Sequence, residues 1–69
     1  MLLSRIVTNS GILSGKPIIK GTRLAVEHIL DLLVDGMSVN EILREHTQLT
    51  REDVLACILF AKKLLPDRI

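Results

Sequence analysis

The feature that most constrains this sequence is an unbroken apolar run near its C-terminal end, Val54 to Ala61. The run follows the segment Thr50 to Asp53, a capping box that predicts the start of a helix. A helix that is apolar all round is normally covered on all sides. In a chain of 69 residues, two small helices and a short strand cannot surround it. We therefore expect a homodimer, or another protein, to cover its remaining face.

Two more helices are predicted before this one. The first shows the i, i+3, i+4, i+7 spacing of a buried face, at Val26, Ile29, Leu30 and Leu33. Gly36 supplies its C-terminal stop. Ser38 and Glu41 form a second capping box, which predicts the start of a short helix, and Pro66 ends the third helix. The short link between the last two helices is typical of a helix-turn-helix.

The N-terminal part of the chain has a different pattern. Ile6 and Val7 are β-prone, and Asn9 to Gly11 is a turn signal. Pro17 restricts Ile18 and Ile19 to an edge strand. The sequence thus predicts a mainly α fold with a short N-terminal β segment. We expect a single domain over residues 1–69, with a β/loop arm at 1–23 and a three-helix unit at 24–69.

A basic loop joins these two parts. Its residues of interest are Gly15, Lys16, Pro17, Lys20, Gly21, Thr22 and Arg23. The three cations can bind a phosphate or the carboxylates of a partner. A P-loop requires Gly-Lys-Ser/Thr before a helix, whereas this loop reads Lys20-Gly21-Thr22, and Pro17 lacks a backbone donor. The alternative interpretation is a glycine-bounded turn that leads to the first helix.

Composition argues against catalysis and against a cofactor. One cysteine and two histidines do not supply the four ligands of a structural zinc site, and Cys57 fits a core position. Glu27, Asp31 and Asp35 are interpreted as a solvated helix face. The net charge of +1 is too balanced to indicate nucleic-acid binding by bulk electrostatics. No apolar run approaches the length of a membrane span, so we expect a cytoplasmic protein.

The loop from Gly15 to Arg23, followed by Leu24, Ala25 and Val26, resembles the signature of the bacterial and archaeal family called domain of unknown function 433. That signature reads Gly-Lys-Pro-x-Ile-x-Gly-Thr-Arg, then an apolar residue, Pro and Val. The segments Gly36-Met37-Ser38 and Leu49-Thr50-x-x-Asp53-Val54, where the second and third helices are predicted to begin, are also similar. This chain departs from the pattern at Ala25, where Pro is usual, and at His46-Thr47, where Tyr-Pro is common.

The resemblance implies an antitoxin-like protein of the VapB type with a trihelical, homeodomain-like core. It also implies a dimer, encoded beside a PIN-like ribonuclease toxin. Our first hypothesis is therefore a protein that binds and neutralises such a toxin in a type II toxin–antitoxin pair. The alternative is a dimeric helix-turn-helix DNA-binding transcriptional regulator that controls its own operon. A small enzyme is disfavoured, because the chain offers no nucleophile–base set.

Two further surfaces are predicted from the apolar content, which is 48% of the chain. The predicted oligomer interface consists of Leu55, Ile58, Leu59 and Phe60. The predicted toxin-binding tail consists of Leu64, Leu65, Arg68 and Ile69. Arg68 can compete with a metal ion for the carboxylates of a nuclease.

Overall fold

The protein folds into three α-helices preceded by a short two-stranded sheet. The structure, a computed structural model, describes residues 1–66. The helices are α1 (Val26–Val34), α2 (Val39–Glu45) and α3 (Arg51–Lys63). The strands are β1 (Ile6–Val7) and β2 (Ile18–Ile19), and short helical turns span Leu2–Arg5 and Leu13–Gly15. The prediction of a mainly helical chain with a short N-terminal β segment is confirmed.

Each helix begins or ends where a local signal places it. Ser38 and Glu41 exchange side-chain-to-backbone hydrogen bonds at the start of α2, and Thr50 and Asp53 do so at the start of α3. Gly36 follows α1 with φ +98°, a left-handed conformation that glycine adopts without steric cost. These caps satisfy backbone groups that the helix ends leave without partners.

The sheet is a single antiparallel pair. Ile6 lies opposite Ile19, and Val7 lies opposite Ile18. In a two-stranded sheet every strand is an edge strand, which agrees with the restriction that Pro17 was expected to impose. The Val26 N–H donates to the Pro17 carbonyl at 3.0 Å, so the loop returns along β2 before α1 begins. Hydrogen bonds to β2 and its neighbours therefore hold the chain between the basic loop and α1.

The core lies where β2 and one face of each helix meet. Its buried residues are Ile19, Val26, Ile29, Ile42, Leu49, Val54 and Cys57. α3 buries Ala56 as well, but Leu55 and Ile58 on the same helix are each 42% exposed. The rest of the chain thus covers one face of α3, and the apolar side chains of Leu55 and Ile58 on another face remain at the surface.

Candidate partner-binding surface

One face of α3 points away from the core and carries apolar side chains. Arg51, Leu55, Ile58 and Lys62 are exposed, and their spacing of four, three and four residues places them on one line along the helix. We call these four residues the outward stripe. Exposed apolar side chains bordered by charged ones are typical of a protein-binding surface.

The four residues of the predicted oligomer interface do not all lie on the outward stripe. Leu55 and Ile58 belong to the outward stripe, and Leu59 is half-buried beside it. Phe60 packs against the core cluster. At about 100° per residue, it lies roughly 140° around the helix from Leu55. A partner that covers the outward stripe therefore does not reach Phe60 across the same face.

Phe60 instead borders a groove between α1 and the C-terminal half of α3. The groove has a volume of about 270 Å³, and its apolar lining is Pro17, Val26, Leu30, Phe60, Ala61 and Leu64. Lys16 and Glu27 also line it, and their side chains form an ion pair at 3.0 Å. The outward stripe and this groove are therefore separate apolar surfaces.

The predicted toxin-binding tail is described in part. Leu64 and Leu65 follow α3 and are 73% and 63% exposed. They continue the apolar surface of the C-terminal half of α3. Arg68 and Ile69 lie outside the described residues.

The cations of the basic loop line different clefts. Lys16 and Arg23 line a cleft of about 360 Å³ that also contains Glu27, His28 and Asp31. Lys20 lines a second cleft, of about 580 Å³, beside the helical turn Leu2–Arg5, which we call the N-terminal arm. Lys16 is paired with Glu27, whereas Lys20 and Arg23 are exposed and form no ion pair with another residue in the range 1–66. Lys20 and Arg23 are the loop cations available to a partner.

The remaining loop residues give the loop its shape. Gly15 and Gly21 have φ of +82° and +81°, where L side chains are strained. The Thr22 hydroxyl donates to the Ile19 carbonyl at 2.8 Å and accepts from the Leu24 N–H at 3.0 Å. Thr22 therefore closes the turn that presents Lys20 and Arg23.

The ion pair between Arg5 and Asp53 was not predicted from the sequence. The Arg5 guanidinium donates to Asp53 Oδ1 at 3.0 Å, and Asp53 is only 7% exposed. The capping box identified Asp53 but gave no indication of Arg5, which is 48 residues away. This ion pair fixes the N-terminal arm to the start of α3 and forms one wall of the cleft that contains Lys20.

The two histidines lie against each other, and the cysteine is buried in the core. The His28 and His46 rings meet edge to face with centroids 5.9 Å apart, between α1 and the end of α2. Burial, followed by the nearby Asp53 charge, raises the pKa of the Cys57 thiol to about 11. Cys57 lies in the core, as predicted, and its thiol is protonated at neutral pH. Within residues 1–66, no three His, Cys, Asp or Glu side chains are grouped to hold a metal ion.

Comparison with known families places the chain among its relatives. The profile of a family described as "Protein of unknown function (DUF433)" matches residues 6–61. The chain belongs to this family. The DUF433 match contains the whole basic loop, the groove residues up to Ala61 and three residues of the outward stripe. Lys62, Leu64 and Leu65 follow the DUF433 match. No curated protein and no solved structure matches the chain.

No helix within residues 1–66 of this DUF433 protein has both the length and the apolar character needed to cross a membrane.

Proposed function

We propose that the protein is an antitoxin-like interaction protein that binds and neutralises a PIN-like ribonuclease toxin of a type II toxin–antitoxin pair. The observation that carries the proposal is the exposed apolar surface on α3 and just after it. Leu55 and Ile58 lie on the outward stripe, and Leu64 and Leu65 extend beyond the helix. Such surfaces favour contact with another protein. The resemblance to the DUF433 signature supports the class of partner.

The proposed mechanism is occlusion of the nuclease active site. A metal-dependent nuclease presents carboxylates that hold its metal ion. Docking through apolar side chains brings exposed cations of this chain close to those carboxylates, and arginine binds them in a bidentate manner. Lys20 and Arg23 are exposed cations of the basic loop, and Arg68 is a third candidate. In this mechanism the apolar surface supplies affinity and the cations supply inhibition.

Co-expression with a PIN-like ribonuclease encoded beside this gene tests the proposal. We expect the two proteins to co-purify and the complex to cleave RNA at least a hundredfold more slowly than the free ribonuclease. Leu55→Asp/Ile58→Asp places charges on the apolar surface and should abolish inhibition. Val34→Asp is the matched control, because Val34 is 85% exposed on α1. If no ribonuclease co-purifies, the antitoxin proposal is wrong.

Deletion of residues 65–69 tests the tail and leaves in place Leu64, which lines the groove. Loss of inhibition, with unchanged circular dichroism, supports docking through the tail. If the shortened protein still inhibits fully, Lys20→Ala/Arg23→Ala tests the basic loop as the inhibitory element. Inhibition that survives both changes contradicts the occlusion mechanism given above.

The proposal includes a homodimer, and the groove between α1 and α3 is the apolar surface we assign to it. The groove is apolar along most of its lining and ends at the exposed Leu64. Sedimentation equilibrium should give about twice the 7.7 kDa mass of one chain. Leu64→Asp should return the protein to the monomer mass without unfolding it. A wild-type monomer at micromolar concentration contradicts this part of the proposal.

The second candidate function is a dimeric helix-turn-helix regulator with a homeodomain-like arrangement that binds DNA. It is favoured by the short link from His46 to Thr50 between α2 and α3, and by the exposed Lys20 and Arg23. It is disfavoured by Glu52, an exposed acid in the first turn of α3. Lys20 and Arg23 provide four unpaired loop cations in a dimer, which predicts a slope of log K against log salt of about −3.6. Tight binding that survives Lys16→Ala/Lys20→Ala/Arg23→Ala excludes the loop as the DNA contact.

A further inference from the structure

The outward stripe has the spacing by which one helix packs along another. Arg51, Leu55, Ile58 and Lys62 follow one another at four, three and four residues, the alternation found along a coiled-coil seam. Apolar side chains occupy the two middle positions and cations occupy both ends. Leu55 and Ile58 are uncovered in the single chain. The stripe therefore fits a second helix better than it fits an irregular segment.

Neither cation of the stripe, Arg51 or Lys62, has an acidic side chain as an ion-pair partner among residues 1–66. The Arg51 guanidinium donates to Asn40 Oδ1 at 2.6 Å, but this amide is neutral and leaves the charge uncompensated. Glu52 and Lys63 lie on the same flank of α3, and their opposite charges add no net charge beside the stripe. The stripe thus presents two positive charges around an apolar centre.

Self-association through the stripe meets like charges in both possible orientations. In an antiparallel pair that places Leu55 opposite Ile58, Arg51 of one copy lies opposite Lys62 of the other. In a parallel pair in register, each cation lies opposite its own equivalent. Two-fold symmetry makes the Arg51–Lys62 contact occur twice in the antiparallel pair. The parallel pair contains one Arg51–Arg51 contact and one Lys62–Lys62 contact, so either arrangement has two repulsive pairs. Such repulsion at a helix seam selects against the partner that produces it.

We infer that the outward stripe is the docking site for a helix of a different protein, one whose apolar centre is flanked on both sides by Asp or Glu. Leu55 and Ile58 bind the apolar centre, and Arg51 and Lys62 pair with the two acidic ends. The inference deepens the proposed function, on which it rests for the identity of the partner protein. It also assigns the stripe to a heterologous contact and leaves the groove for the second copy.

Two synthetic helices test the charge pattern directly. Both are side-chain-stapled peptides with two leucines spaced to face Leu55 and Ile58. One carries glutamates at the flanking seam positions and the other carries lysines. In 15N-labelled protein we expect the glutamate peptide to shift the amide signals of the outward stripe. It should bind at least tenfold more tightly than the lysine peptide at low salt. Equal binding, or shifts confined to the groove, overturns the inference.

A single charge reversal provides the second test. Arg51→Glu makes the antiparallel pair self-complementary, because Glu then lies opposite Lys62 in both contacts. In the Leu64→Asp background, which removes the groove contact, sedimentation equilibrium should show at least tenfold tighter self-association with Arg51→Glu than without it. Adding Ile58→Asp should remove the gain. Lys63→Glu is the control, because it makes the same change of charge at a position outside the stripe, and it should have no such effect. Wild-type self-association that Leu55→Asp abolishes and Arg51→Glu leaves unchanged overturns the inference.

These results separate the docking site from the proposed function. If the glutamate peptide binds the stripe but the neighbouring ribonuclease is not inhibited, the docking site stands and the antitoxin proposal fails. If the ribonuclease is inhibited equally by the wild type and by Arg51→Glu/Lys62→Glu, the antitoxin proposal stands. The inference that the stripe binds an acid-flanked helix is then wrong.

Discussion

The capping boxes of α2 and α3 share one sequence motif but have different roles in the fold. At α2, the Ser38 hydroxyl accepts the Glu41 N–H at 3.1 Å, and Glu41 accepts the Ser38 N–H at 2.9 Å. Both residues are exposed and contact only each other through these bonds. At α3, Asp53 accepts the Thr50 N–H at 2.9 Å and also the Arg5 guanidinium. The first box begins a helix, whereas the second also holds the N-terminal arm.

The difference follows from burial of the carboxylate. Glu41 is solvated, so its cap is worth only the local hydrogen bonds. Asp53 is almost fully buried, and a buried carboxylate is stable only when charge-assisted hydrogen bonds replace water. Arg5 supplies that compensation from the segment before β1. A local motif thus becomes a tertiary contact when its acid faces the core.

The largest expected effect comes from Asp53→Ala. The change removes the carboxylate half of the α3 capping box and the partner of Arg5, so we expect a loss of about 2–4 kcal/mol in the free energy of unfolding. Urea denaturation followed by circular dichroism measures it. Glu41→Ala at the equivalent position of α2 is the matched control and should cost clearly less. Equal losses for the two variants would show that the boxes are energetically the same.

Arg5→Met should have the next largest effect. Methionine keeps the length of the side chain but removes the ion pair with Asp53, so we expect a loss of about 1–2 kcal/mol. A double-mutant cycle with Asp53→Ala should give a coupling of about 1 kcal/mol or more. Lys16→Met is the control, because the pair of Lys16 and Glu27 is solvent-exposed and should contribute below about 0.5 kcal/mol. Similar losses for Arg5→Met and Lys16→Met contradict the special role of Arg5.

Ser38→Ala tests the exposed box alone. The variant removes one N-cap oxygen and leaves the core unchanged, so we expect a loss of about 1 kcal/mol. The urea midpoint should fall while the slope of the transition stays the same. Ser38→Asp keeps a capping oxygen and should restore most of the stability. If Ser38→Asp is as unstable as Ser38→Ala, the loss does not come from the cap.

The same contrast explains what the sequence could predict. Both capping boxes, the stop at Gly36 and the β-prone pairs depend on residues close together in the chain, and all were predicted. The pairing of Arg5 with Asp53 depends on a fold that brings together residues 48 positions apart, and no local pattern encodes it. The apolar run of α3 predicted an uncovered face. It did not separate Leu55 and Ile58 from Phe60, because an unbroken run carries no helical periodicity.

The smallest expected effect is the pH dependence of the exposed box. The hydrogen bonds from the Ser38 backbone and hydroxyl, in that order, lower the pKa of Glu41 below 4.5. The folded state therefore binds fewer protons at Glu41 than the unfolded state near that pH. The stabilising contribution is complete above the unfolded pKa and is lost as the pH falls through the folded one. The difference in unfolding free energy between wild type and Glu41→Gln should thus shrink as the pH falls from 6 to 3. A carboxyl carbon titration by NMR should show that Ser38→Ala raises the pKa of Glu41 back towards 4.5. If Ser38→Ala leaves the Glu41 titration unchanged, the reciprocal hydrogen bond of the α2 box is absent in solution.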